Sequence, residues 1–204
     1  MEFLPIRINN ENVYAGFGAR FGSAIVDMLL YIPLMFVFHS IGSSSLSMAM
    51  LSAVLSILFF SAYTIYFHYK FGATLGKMLL GIKVTLPNGE NIGLKQALLR
   101  SSVDLAFALL MIIAQVIAIS NADPETYLNA GWFQRAEYIL PLFPVWYGVV
   151  NMASNLWYWG EFIVLLFNKR KRALHDFIAG TVVICKEFAE LGAQNEAPDT
   201  APVN

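Results

Sequence analysis

Four apolar runs decide most of what this chain of 204 residues is able to become. A hydrocarbon core about 30 Å thick is crossed by about 20 helical residues. Runs at roughly 17–39, 48–69, 96–119 and 144–167 meet that length. Backbone polar groups in lipid must satisfy one another, and for separate runs of this kind the helix does so. Composition agrees, with 57% of residues hydrophobic and 13% charged, where soluble domains carry about 25% charged residues. The expected fold class is an all-α membrane protein: four transmembrane helices and a small cytoplasmic cap made of a short helix and hairpin-like strands.

The positions of Lys and Arg orient the runs. Lys70, Lys77, Lys83 and Lys95 lie between the second and third, and Lys169-Arg-Lys-Arg172 follows the fourth. The 40–47 connection is uncharged, and the 121–137 connection has only Arg135 against Asp123, Glu125 and Glu137. Basic residues favour the cytoplasmic side, so a multi-pass plasma (inner) membrane protein with both termini cytoplasmic is expected. The basic cluster 169–172 suits anionic lipid headgroups. The early residues are mixed in charge and the first run holds Arg20 and Asp27, so that run is expected to stay rather than to be cleaved as a signal peptide.

Between the second and third runs, 72–81 suits a short interfacial helix. Ile82-Lys-Val-Thr-Leu86 alternates as a strand does, Pro87-Asn-Gly89 supplies a turn, and 90–94 suits a returning strand. Residues 179–184 suit a strand pairing with 82–86. The expected organisation is an N-terminal cytoplasmic segment over 1–12, a membrane domain over 13–187 and a tail over 188–204. The tail's Ala, Pro, Asn and acidic residues, without apolar period, predict disorder.

Charges inside the runs are the chemically informative residues. Arg20 and Asp27 are seven residues apart on the first run, about two helical turns, and so share a face. Arg100 and Asp104 stand at i,i+4 on the third and are able to touch. Asp27 with Arg100, and Asp104 with Arg20, are plausible pairs between helices. An insertion penalty of roughly 2.5–3.5 kcal/mol per charge at the bilayer centre means such groups either lock the bundle or form a working site. The fourth run adds Asn151, Ser154, Asn155 and Glu161. Asp27, Arg100, Asp104, Asn151, Asn155 and Glu161 are the candidate intramembrane ion, proton or ion-pair site. Two readings stand: structural pairing with hydrogen bonds between helices, or a carboxylate in a wet cavity that takes a cation or relays a proton.

Other chemistries lack support. Cys185 is the sole cysteine, so neither an internal disulfide nor a thiolate metal site is available. His39, His68 and His175 have no metal-ligand spacing. No catalytic triad or phosphate loop is present, so no cofactor and no enzymatic activity are expected. A net charge of −1 gives no reason to expect nucleic acid. The four tryptophans suit interface or packing positions.

Three stretches in order resemble the RDD family of membrane proteins, named for one arginine and two aspartates. The first is Tyr14-Ala-Gly-Phe-Gly-Ala-Arg20-Phe-Gly-Ser-Ala-Ile-Val-Asp27. The second is Gly72-Ala-Thr-Leu-Gly-Lys77-Met-Leu-Leu-Gly-Ile-Lys-Val84. The third is Arg172-Ala-Leu-His-Asp176-Phe-Ile-Ala-Gly-Thr181-Val-Val. Arg20, Asp27 and Asp176 match the family's charges, and the likeness covers about 13–185. The long 121–137 connection, together with Pro141 and Pro144, departs from the family's compact pattern. The resemblance implies a small bacterial multi-span protein, with transport as a suggested role and cation/proton exchange linked to some members. The expected function is a cation or proton-coupled transporter with a small cation as substrate, completed by a homodimer because four spans are few; the alternative is a non-catalytic membrane scaffold or assembly partner. Asp176 reads either as a cap or ion-pair residue tying Arg172 and the final segment to the bundle base, or as a gate to the Asp27 region.

Overall fold

A computed structural model describes residues 3–189. Helices dominate. α1 (Phe17–Gly42), α2 (Leu46–Phe71) and α4 (Leu94–Ser120) are each long and apolar enough to cross a membrane. Only 11%, 11% and 17% of their most apolar windows are buried within the protein. Met28, Leu29, Leu58 and Leu109 are each more than half exposed. A soluble protein does not carry apolar surface on this scale; lipid is the solvent that accepts it. The fourth apolar run folds as α7 (Tyr147–Phe167), a helix of 21 residues, which is not among the three that are long and apolar enough. It begins later than the expected residue 144. Pro141 and Pro144 lie ahead of it, with a 3-10 turn at Leu140–Leu142, and the Tyr147 N–H bonds the Pro144 carbonyl.

Chain contacts divide the protein into two units. One comprises the chain up to Asp27, Thr64–Arg100 and the residues from Gly160 on; the other comprises Met28–Tyr63 and Ser101–Trp159.

The first unit holds the strands and the short helices Leu75–Leu79 and Leu174–Ala179. β1 (Arg7–Ile8) and β2 (Glu11–Asn12) form a small hairpin through Asn9 and Asn10, both left-handed at φ 48° and 67°. Asparagine tolerates that conformation. The interfacial helix expected over 72–81 is α3 (Leu75–Leu79). The pairing expected between 82–86 and 179–184 is present: β3 (Ile82–Thr85) runs antiparallel to β4 (Val182–Cys185), with Ile82 opposite Cys185 and Thr85 opposite Val182. The returning strand over 90–94 is reduced to one bridge, Thr85 to Asn91, before α4 starts at Leu94. On its other side β4 meets 13–15, through the Ala15 N–H to Val183 carbonyl and the Cys185 N–H to Val13 carbonyl. The fold class is therefore mostly helical with two small antiparallel sheets rather than all-α. Val13, Val84, Val182, Val183 and Ile184 have no exposed surface and form the core of the cap. Phe188 joins that core; the rest of the expected tail, 190–204, lies outside the described residues.

The second unit packs the remainder of α1, α2, α4 and α7 with two short helices in the 121–137 connection, α5 (Pro124–Asn129) and α6 (Trp132–Ile139). Asp123 caps α5 by accepting the Thr126 N–H at 2.8 Å, with Pro124 next in the chain. Ala49, Ala118, Ile119, Tyr127 and Ile139 form its core.

Candidate functional site

The first unit gathers its charges where the last short helix, α8 (Leu174–Ala179), turns into β4. Gly180 ends α8 in the left-handed conformation at φ 67° and the Thr181 N–H bonds back to the Asp176 carbonyl, so the chain reverses into the strand within two residues. Asp176 occupies the first turn of α8 and accepts the Ala173 N–H at 2.9 Å. Its side chain is fully buried. Arg20 of α1 donates to Oδ2 at 2.6 Å, and Arg100 of α4 donates to Oδ1. Thr181 accepts from Arg100 at 2.9 Å and donates to Asp176 at 3.3 Å. Two guanidinium groups thus converge on one carboxylate, and backbone and hydroxyl donors take up its remaining acceptor capacity. Burial by itself would raise the Asp176 carboxyl; Arg100 and Arg20 overcome it and hold the group well below the ordinary carboxylate range.

The remaining bonds extend this network. Arg20 also donates to the carbonyls of Ala15 and Lys171. Arg172 donates to the carbonyls of Thr181 and Asp176. His175 bridges Arg100 and Glu161: its Nε2 meets Arg100 Nη2, its Nδ1 meets a Glu161 oxygen, and its backbone N–H donates to the other at 3.0 Å. Guanidinium is only a donor, so Nε2 must accept and Nδ1 must carry the proton. The imidazole is then neutral, in accord with burial and Arg100 both lowering its pKa. The four formal charges of Arg20, Arg100, Asp176 and Glu161 cancel.

Asp27 stands elsewhere in the same unit. It accepts the Thr74 hydroxyl at 2.6 Å and the Gly76 N–H at 2.8 Å. An aspartate on α1 thereby satisfies an otherwise orphaned N–H in the first turn of α3, a helix of only five residues. Gly76 permits the approach, since a Cβ there would lie 2.2 Å from the Ser23 carbonyl oxygen and 2.8 Å from Asp27 Cγ. Lys77 Nζ reaches the same Thr74 hydroxyl at 3.5 Å. Burial first and Arg100 second lower the Lys77 ammonium from 10.5 to about 8, against the opposing pull of Asp27.

The expected constellation is therefore split. Arg100 and Glu161 join Arg20 and Asp176 through His175. The pairs Asp27–Arg100 and Asp104–Arg20 are replaced, because Asp176 takes both arginines and Asp27 turns to α3. Asp104 belongs to the second unit, where the Trp157 indole N–H donates to it at 3.0 Å. Asn151 and Asn155 also belong there and are exposed, with the Asn155 amide donating to the Asn151 carbonyl at 2.7 Å. Sequence reasoning missed His175 as the bridge, Thr181, and the Thr74–Gly76–Lys77 partners of Asp27. The polar Thr74 and Lys77 beside Gly76 in a short amphipathic stretch were the available signal. Of the readings of Asp176, the ion-pair and capping role matches the geometry, with Arg20 and Arg100 as its ionic partners.

The sequence profile of the RDD family matches residues 14–180, most of the chain. The chain belongs to the RDD family. No curated protein and no solved structure matches it. In this RDD protein the matched stretch runs from the strand contact at Tyr14 to the α8 stop at Gly180. It takes in Arg20, Asp27 and Asp176, which occupy two distinct contacts: a buried Arg–Asp–Arg latch and the Asp27 cap on α3. Among the described residues, no cluster of three His, Cys, Asp or Glu side chains is arranged to hold a metal.

Proposed function

We propose that this RDD protein is a non-catalytic, four-span inner-membrane protein that takes up a small monovalent cation at Asp27 in exchange for the proton of Lys77. The observation that carries the reading is the hydroxyl shared by Asp27 and Lys77: Thr74 donates to the carboxylate and lies within reach of the ammonium. While Lys77 is protonated, its charge offsets Asp27. When Lys77 releases its proton, Asp27 takes a cation in place of the ammonium. One positive charge replaces another, so the site stays balanced. α7 serves as the fourth span, which returns the basic cluster 169–172 to the cytoplasmic side. A second copy of the chain supplies the remaining wall of the path.

Proteoliposome flux under Na⁺, K⁺ and pH gradients tests the reading. Cation uptake rises as pH rises through about 8, following the Lys77 ammonium. Asp27→Asn abolishes it, and Lys77→Met leaves uptake that no longer responds to pH. Wild-type flux equal to that of empty liposomes ends the proposal.

The buried latch favours a second reading. Arg20, Arg100 and Asp176 are all buried and mutually satisfied, which suits a rigid membrane scaffold carrying a cytoplasmic cap. Cross-linking in native membranes then recovers one constant partner protein; recovery of the chain alone counts against it.

A further inference from the structure

The second unit contains a cavity of about 300 Å³ that the Asp27 reading does not use. It lies where α1, α2, α4, α5 and α6 meet, and Arg135 forms part of its wall. Arg135 is 8% exposed, and no carboxylate pairs with it among the described residues. Its Nε donates to the Tyr127 carbonyl at 3.1 Å, Nη2 to those of Leu128 and Ala130, and Nη1 to the Ser43 hydroxyl at 3.1 Å. The guanidinium also lies over the Tyr127 ring, 4.8 Å from its centroid. These contacts fix its position but leave a full positive charge uncancelled. Guanidinium has five N–H groups; the four bonds leave one Nη1 proton, for which the neutral Tyr127 hydroxyl is the acceptor at hand among the described residues.

A buried cation in that condition is expensive unless an anion reaches it. The cavity supplies room for one. Ser52 and Ser56 turn their hydroxyl protons back to the carbonyls of Ala49 and Ala53, at 3.0 and 2.9 Å. Donors facing the space for a guest include the Arg135 guanidinium and the Gln115 amide, with the ring N–H groups of His39 and Trp132 also in its lining. Phe38, Ala53, Ile119 and the Trp132 ring supply apolar wall, the last stacked on His39 at 4.7 Å. A bare inorganic anion would leave those walls wet, whereas a carboxylate on an apolar body matches both surfaces.

From this geometry we propose that the cavity is a binding site for a small organic carboxylate, with its anionic end at Arg135 and its body against Phe38 and Trp132. The same chemistry is offered by a soluble aromatic or aliphatic acid and by a fatty acid from the bilayer.

The test is isothermal titration of the purified full chain with benzoate, octanoate, the neutral isostere benzamide and inorganic phosphate. One equivalent of benzoate or octanoate binds, at least tenfold more tightly than benzamide or phosphate. Preference for benzoate assigns a soluble source, and preference for octanoate assigns the bilayer. Arg135→Gln risks unfolding, because it strips donors from the carbonyls of Tyr127, Leu128 and Ala130. Two further variants keep Arg135 in place: Gln115→Leu removes the second donor and Ala53→Phe fills the space, and each weakens benzoate and octanoate at least tenfold while leaving the thermal melt within a few degrees. Benzamide binding as tightly as benzoate, phosphate binding in preference to both carboxylates, no carboxylate binding at all, or Ala53→Phe binding like wild type overturns the proposal.

Discussion

Asp176 is the residue on which the buried charges of the first unit depend. Removing its charge leaves Arg20 and Arg100 buried against each other, and breaking a buried ion pair by deleting one partner destabilises by about 3–5 kcal/mol. Asp176→Asn should lose stability of that order in chemical denaturation of the detergent-solubilised protein, and a loss below about 1 kcal/mol would refute the latch. The pH dependence has a definite sign. The folded carboxyl titrates below its unfolded value of about 3.9, so its contribution is complete above that value and disappears as pH falls through the folded one. His175 works in the same direction at higher pH. Its lowered pKa means that the unfolded chain takes up a proton first as pH falls through about 6.5, which erodes stability there.

At the scale of elements, α3 is too short to persist on its own. Helices below about 12–15 residues are marginal in water, and α3 has five. It is held by Asp27 at its start and by the close approach of Gly76 to α1. Gly76→Ala should push α3 off α1 and destabilise by about 1–3 kcal/mol, the usual range for overpacking. Gly18→Ala is the control, because a Cβ there meets nothing within 4 Å. Thermal melts of the two variants separate the effects: if both melt alike, α3 is not seated through Gly76. The β3–β4 pairing was legible because 82–86 alternates and both segments are rich in β-branched residues. The bond of β4 to 13–15 was not legible, since those residues are too few to show a period.

For the whole molecule, the number of crossings fixes which side each connection faces. α1, α2 and α4 qualify by length and apolarity, while Asn151, Asn155 and Glu161 make α7 more polar. If α7 crosses, both ends of the chain share one side. In a Cys185→Ala background, a membrane-impermeant maleimide should label Ser44→Cys and Glu125→Cys in intact cells, and Glu11→Cys and Lys169→Cys only after permeabilisation. Labelling of Lys169→Cys from outside, together with Ser44→Cys, would establish three crossings.

The sequence by itself determined the membrane character, the long helices and the cap pairing. Those features rest on local hydropathy, periodicity and turn chemistry, which neighbouring residues carry among themselves. Only tertiary structure decided how the charges divide. Arg20, Arg100 and Asp176 come from α1, α4 and α8, and Asp27 meets a backbone N–H that no sequence pattern marks as vacant. Opposite charges attract without regard to sequence separation, so several pairings satisfied the spacing equally well. The packing of α3 against α1 through Gly76 and the reversal at Gly180 removed the alternatives, because they set which carboxylate lies within reach of which donor.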